Sequence, residues 1–245
     1  AIPPLVALCG NVTDKQILAN VADALRNLAR HEGTRPALVQ QGAVMPLVAL
    51  CRESKDPPVL GNATAALANM ALHEASAAEI VRAEAIGPLV EICSSCKERA
   101  ILLFAAVALK NLTRDEKCRS KVVEGGAVKP LVTLWRELSD DKRILSNITE
   151  ALTNASLDSK NQGRVVEDGA GSVMIEMCYS THTSLQKAGI ASSPSVARRA
   201  LKGSDKAKAE ETQIKNHARA IMAIGNLAKD QASRGKLVEE DVVEV

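Results

Sequence analysis

Aromatic side chains are nearly missing from this 245-residue chain: Phe104, Trp135 and Tyr179 are the only three. Cores normally draw much of their buried area from rings. Here Ala, Leu, Val and Ile must fill the interior, which favours closely packed helices over a sheet, where aromatic and β-branched residues prevail. Three rings also exclude a platform on which single-stranded nucleic acid could stack, so no nucleic-acid partner is expected. Charge of one sign is lacking too. The 31 basic and 29 acidic residues give a net charge of +2, too little to drive binding to DNA or a membrane surface. Long hydrophobic runs are absent: the longest, Ala100 to Leu109, has ten residues, against about 18 for a bilayer span. No signal-peptide pattern is visible, and the chain opens Ala1-Ile2-Pro3-Pro4 without Met. It reads as a processed or trimmed piece. Membrane contact is expected only through a missing anchor or the basic insertion described below.

Periodicity is what the sequence has in abundance. Pro4, Pro46, Pro88 and Pro130 are each 42 apart, and each is followed by Leu-Val. A fifth copy, Val173-Met174-Ile175, lacks the Pro. A second marker runs beside the first: Asn27, Asn69, Asn111, Asn154 and Asn226 each end the pattern Ala-(Leu/Ile)-x-Asn, with gaps of 42, 42, 43 and 72. Such self-similarity at a fixed period is the mark of a repeat architecture. Gly42-Ala43, Gly126-Ala127 and Gly169-Ala170 read as a helix stop and restart, because Gly takes the left-handed conformation at a helix end and Pro suits a first turn. The third copy departs from this, with Glu84-Ala85. From Ile17 to Ala29 the apolar residues fall on one helical stripe, and no segment alternates like a strand.

A 42-residue unit with Gly-Ala-x-x-Pro-Leu-Val followed by Ala-Leu-x-Asn resembles the armadillo repeat, over nearly the whole chain. The resemblance implies an all-α armadillo-repeat solenoid, with three helices per repeat stacked as a right-handed superhelix. It also implies that the third helix, which carries the Asn, lines the concave face. Stacking is what the physics requires, because one repeat cannot bury its own apolar face. The chain is expected to be a single domain of five repeats, approximately 1–41, 42–83, 84–125, 126–168 and 169–240. Both ends are expected to cut across the pattern.

Register also governs the reading of the cysteines and histidines. Cys9, Cys51, Cys93 and Cys178 occupy one position of successive repeats, with Trp135 in the fourth. Equivalent sites recur at helix-packing distances of about 8–10 Å, whereas a disulfide needs Cα atoms within about 7 Å. Small buried thiols are therefore expected, in the cytoplasm or another reducing compartment. Cys93 and Cys96 form a lone C-x-x-C without the second pair a zinc site needs, so no metal or cofactor is expected. His31 and His73 sit 42 apart, with Asp115, Asp158 and Asp230 in the same place later. A polar site at a helix end explains this better than catalysis. No hydrolase, metalloprotease or phosphate-loop motif occurs, and no enzyme activity is expected. The sequons at Asn11, Asn62, Asn111, Asn147 and Asn154 read as by-products of helix composition rather than loop acceptors.

The recurrent Asn asks for a reason, because Asn is a middling-to-poor helix former. Seven residues before the marker, and so on the same face, stand Asn20, Asn62 and Asn147, with Phe104 and Arg219 in the third and fifth repeats. An Asn amide carries donors and an acceptor and can pair with the backbone of an extended peptide. The resemblance implies that role for the marker Asn. The alternative is that each Asn braces a neighbouring repeat. Arg26 and Lys110, one residue before the marker, are expected to add specific contacts. Four before it stand Asp23, Ala65, Val107, Glu150 and Met222. Importin-α-type receptors carry Trp there to stack on basic cargo, and this chain has none, so the resemblance is closer to β-catenin-like scaffolds.

The fifth repeat is expected to carry an insertion, Thr181 to Glu210, with six bases and two acids. It reads as a solvated loop or as a regulatory or docking arm for an acidic partner or anionic lipid. The functional expectation is a non-catalytic scaffold that holds an extended segment or helix of a partner protein along the groove. The alternatives are a structural subunit of a large assembly, such as a ciliary or organellar complex, and, below both, a nuclear transport receptor.

Overall fold

Polar caps at helix starts and left-handed corners at helix ends divide the chain into units. Asp14, Asp56, Asp115 and Asp141 each accept a backbone N–H three residues on: from Ile17 at 2.9 Å, Val59 at 3.2 Å, Cys118 at 2.9 Å and Ile144 at 3.1 Å. These bonds satisfy N–H groups that a helix start leaves without a partner. The recurring His/Asp position does the same work. His73 Nδ1 accepts from Ser76 N–H at 3.4 Å, and Asp230 accepts from Ser233 N–H at 2.8 Å. His31, by contrast, makes no side-chain cap.

The structure, a computed structural model, describes residues 2–187, 205–230, 233 and 235–237. Its helices are α1 Ile2–Asn11, α2 Lys15–Arg30, α3 Arg35–Gln40, α4 Val44–Glu53, α5 Pro57–Met70, α6 Glu74–Arg82 and α7 Ile86–Ser95. They continue with α8 Arg99–Leu112, α9 Glu116–Glu124, α10 Val128–Glu137, α11 Lys142–Ala155, α12 Gln162–Glu167, α13 Ala170–Lys187 and α14 Asp205–Leu227. No strand occurs among the described residues. Each unit is a short first helix (α3, α6, α9, α12), a second carrying the Pro-Leu-Val marker (α4, α7, α10) or its Val173-Met174-Ile175 counterpart (α13), and a third carrying the marker Asn (α5, α8, α11, α14). The first unit consists of α1 and α2.

The corner between first and second helices is the same in each unit. Gly42, Gly126 and Gly169 have φ of +72°, +78° and +88°. Around Gly42, Ala43 N–H bonds Leu38 O at 2.9 Å and Gly42 N–H bonds Val39 O at 2.9 Å, the paired closure of a left-handed helix cap. The third copy, which departs in sequence, keeps the geometry. Glu84 sits at φ +58°, with Ala85 N–H on Ile80 O and Glu84 N–H on Val81 O. A side chain there costs about 1 kcal/mol of backbone strain.

Packing supplies the rest. Successive third helices α2, α5, α8, α11 and α14 stack directly on one another, more intimately than the second or first helices do. The third helices therefore form the most continuous layer of the stack. The largest fully buried side chains are all aliphatic or Met, Leu25, Leu67, Leu109, Ile144 and Ile148 among them, as the scarcity of rings requires. Cys9, Cys51, Cys93 and Cys118 are buried and Cys96 and Cys178 half-buried, all as free thiols. Burial pushes Cys9 up to about 11 and Cys51 and Cys93 up to about 12, which makes these thiols poor nucleophiles. The segment expected as a loop over 181–210 is helical at both ends, since α13 runs on to Lys187 and α14 begins at Asp205. Residues 188–204 of it, and residues 238–245 at the end of the chain, lie outside the described residues.

Candidate partner-binding groove

The end of each third helix explains the Asn ladder. In α5, Ala71 N–H bonds Leu67 O and Leu72 N–H bonds Asn69 O, so the tightening last turn skips the carbonyl of Ala68. The same skip leaves Lys110 O in α8, where Thr113 N–H bonds Leu109 O and Arg114 N–H bonds Asn111 O. It leaves Thr153 O in α11, where Ser156 N–H bonds Leu152 O and Leu157 N–H bonds Asn154 O. Carbonyls at a helix end need a partner from elsewhere when water cannot reach them.

The next repeat supplies it. Asn111 Nδ2 donates to Ala68 O at 2.8 Å. One repeat later a hydroxyl is interposed: Thr113 Oγ1 donates to Lys110 O at 2.7 Å, and Asn154 Nδ2 donates to Thr113 Oγ1 at 3.3 Å. The arrangement recurs in Ser156 Oγ, which donates to Thr153 O at 2.7 Å and accepts from Asn226 Nδ2 at 3.3 Å. Where the residue two past the marker is Ala29 or Ala71, the next Asn reaches a carbonyl directly, as Asn69 does at Arg26 O, 3.4 Å away. Asn62, seven residues before its marker, likewise bonds Ala19 O at 3.1 Å. One N–H of each of these amides is therefore a tether between repeats.

Other ladder residues bond within their own helix. Asn27 Nδ2 donates to Asp23 at 3.1 Å, Asn20 Oδ1 accepts from Gln16, and Asn147 Nδ2 donates to Arg143 O at 2.8 Å. Asn20 and Asn27 are exposed, and Asn62, Asn69, Asn147, Asn154 and Asn226 half-buried. Asn111 is only 3% exposed, and its Oδ1 is buried with no hydrogen-bond partner among the described residues. Asn69 and Asn154 also keep an Oδ1 without a hydrogen-bond partner among the described residues, but in half-open positions.

Charge gathers along the same helices. Arg26 pairs with Asp23 at 2.5 Å, and Arg219 with Glu150 at 2.7 Å. Lys110 is half-buried: burial lowers its hold on the proton, Glu150 opposes that, and the guanidiniums of Arg114 and Arg219 lower it further. The row three residues past the marker, not singled out by sequence, faces solvent, with Leu72 and Leu157 at 45% and 46% exposure. Its signal in the sequence is a large apolar residue at a helix end in every second repeat.

A family model described as an Armadillo/beta-catenin-like repeat matches residues 31–72. That span holds the α3 to α5 unit and its Asn69 tether. The chain has the fold of an armadillo-repeat solenoid. A designed armadillo repeat protein superposes on the solenoid with a TM-score of 0.68 and 23% identity, over 91% of this chain and 100% of that one. Another, in complex with the peptide (KR)4, does so with 0.67 and 21%, over 98% and 97%. A chain from a structure of the phosphorylation switch that controls the interaction between cadherin and beta-catenin matches with 0.66 and 16%, over 94% of the solenoid and 38% of its own length. Compared by sequence with curated proteins, the solenoid matches none. Among its described residues no helix is long and apolar enough to cross a membrane, and no three metal-binding side chains cluster.

Proposed function

We propose that the solenoid is a non-catalytic protein-binding scaffold that holds an extended partner segment along its third helices. The observation that carries this reading is the half-open pair Asn69 and Asn154. Tethering fixes each amide through one N–H while its Oδ1 has no hydrogen-bond partner among the described residues. Acceptors held in place two repeats apart suit backbone N–H groups of an extended chain. Asn111, nearly closed off, serves as a brace, and Arg26 and Lys110 flank the ladder. The designed protein that holds a peptide has the same fold. No row of Trp stands in the groove to receive basic cargo, so the transport-receptor reading ranks last.

A photo-crosslinking side chain placed at Leu72, Leu157 or Met45 tests the reading in a native extract. All three positions are exposed and apolar, but Met45, 61% exposed, lies on the second helix α4. Capture of one partner from Leu72 and Leu157 and not from Met45 supports the groove. Capture from Met45 alone contradicts it. Salt-resistant co-purification with a large assembly, without groove crosslinks, favours the structural-subunit reading.

A further inference from the structure

A cleft of about 660 Å³ opens between the corners of the third and fourth units. The end of α6, the start of α7 and the end of α9 line it, with Arg52 of α4 beside them. None of its lining residues belongs to a third helix, so it lies outside the groove.

The unit that forms this cleft breaks the repeat twice. Its corner residue is Glu84, at φ +58°, where Gly42, Gly126 and Gly169 stand in the others. Three residues further on it has Gly87, where the others carry Met45, Lys129 and Ser172. Both changes run against local preference, because Glu resists the left-handed conformation and Gly weakens a helix. The fold asks for neither. Gly serves at the other three corners, and a Cβ at Gly87 would have nothing within 4 Å. Gly125 is different: a Cβ there would meet Ile86 Cγ2 at 2.5 Å, so packing itself requires that Gly. Departures that weaken an element without serving its packing are expected where a site is built. Here the missing side chain at Gly87 leaves the cleft open, and Glu84 brings a carboxylate to it.

The cleft is apolar beneath and charged around. Ile86 and Pro88 are buried and Val81 half-buried, whereas Arg52, Glu84, Lys121 and Glu124 are exposed. Lys121 and Glu124 neutralise each other at 2.8 Å. The side chains of Arg52 and Glu84 make no hydrogen bond or ion pair among the described residues. One unpaired cation and one unpaired anion therefore border an apolar floor. An occupant charged with a single sign is repelled by one of them, and an occupant carrying both signs can satisfy both. Walls of exposed side chains do not enclose a small molecule, whose sites bury most of its surface. An apolar side chain seated in a pocket inside a polar rim is instead the layout of a protein–protein anchor.

We propose that this cleft is a second docking site, separate from the groove, for a partner segment in which an apolar side chain stands between an acidic and a basic residue. The apolar side chain lies on Ile86 and Pro88 in the space left by Gly87, the acidic residue meets Arg52, and the basic residue meets Glu84. The site does not depend on the groove reading.

Blocked five-residue peptides, titrated while the methyl signals of Ile86 are followed by NMR, test this. Glu-Ser-Leu-Ser-Lys and Lys-Ser-Leu-Ser-Glu present the two charges in both chain directions. The better of these is expected to bind at least about fivefold more tightly than Lys-Ser-Leu-Ser-Lys or Glu-Ser-Leu-Ser-Glu. Replacing its Leu with Ser should weaken it about tenfold or more. Gly87→Met copies the second unit and should close the cleft, weakening the best peptide about fivefold or more without lowering the melting temperature. Arg52→Glu, at an exposed position, should reverse the preference so that the peptide with two Lys binds best. Equal binding of a same-charge peptide to the parent, an unchanged affinity in Gly87→Met, or an unchanged preference in Arg52→Glu overturns the proposal. So does a failure of every peptide to shift Ile86.

Discussion

Thr113→Val is the sharpest perturbation of the tether ladder. Thr113 is 1% exposed, donates to Lys110 O at 2.7 Å and accepts from Asn154 at 3.3 Å. Val keeps the shape, and the two residues have nearly equal helix propensity, so the loss is confined to two hydrogen bonds. Each is worth about 1 kcal/mol net, and the skipped Lys110 carbonyl is left without its partner, so the expected cost is about 2 kcal/mol. Asn154→Ala removes only the tether and should cost about 1 kcal/mol. The double variant should cost about 2 kcal/mol rather than 3, a coupling of about 1 kcal/mol between residues in adjacent repeats. Urea unfolding supplies the energies. Because repeat arrays do not always unfold in one step, hydrogen exchange at the ends of α8 and α11 should show where the loss falls. Additive costs, or a Thr113→Val variant as stable as the parent, would refute the relay.

Three other substitutions probe the frame that presents the groove. Glu84→Gly relieves the positive φ at the third corner and should stabilise the chain by about 0.5–1 kcal/mol in urea unfolding; a loss of stability would show that the Glu84 side chain contributes more than its strain costs. Gly125→Ala places a Cβ 2.5 Å from Ile86 Cγ2 and 3.1 Å from Lys121 O, and should destabilise by about 1–3 kcal/mol, with a melting point no lower than the parent's as the contrary result. Asp115→Ala removes a helix cap and should cost about 1 kcal/mol at neutral pH. The backbone N–H of Cys118 holds Asp115 below the usual carboxylate range, so its contribution is present above the ordinary Asp pKa and lost as pH falls through the depressed one. The gap between parent and variant in pH-dependent melts should therefore close in acid, and a gap that widens would contradict the cap.

The 42-residue period made the solenoid legible because both markers serve the fold: Pro-Leu-Val starts the second helix, and Asn69, Asn111, Asn154 and Asn226 tie their helices to the preceding repeat. The His/Asp column was legible as a polar site at a helix end, and His73 and Asp115 cap the helices that follow them. What the Asn does was not legible. An amide with donors and an acceptor fits a peptide or a carbonyl equally well, and the skipped carbonyls of Ala68, Lys110 and Thr153 arise only from how the last turn tightens. Glu84 hid its conformation because the Gly it replaces was the only signal of a left-handed corner. The Thr181 to Glu210 insertion was read as loop from its composition, yet α13 reaches Lys187 and α14 starts at Asp205, because helices that pack on a neighbour extend past a weak local preference.

The central claim is that the third helices, and not the outer ones, receive the partner. Hydrogen exchange of the solenoid with and without a partner captured through Leu72 measures this directly. The account predicts slowed exchange in α5, α8 and α11, centred on the turns that hold Asn69, Leu72, Arg114 and Leu157, with α4, α7 and α10 unchanged. Slowed exchange confined to α4, α7 and α10 would contradict it.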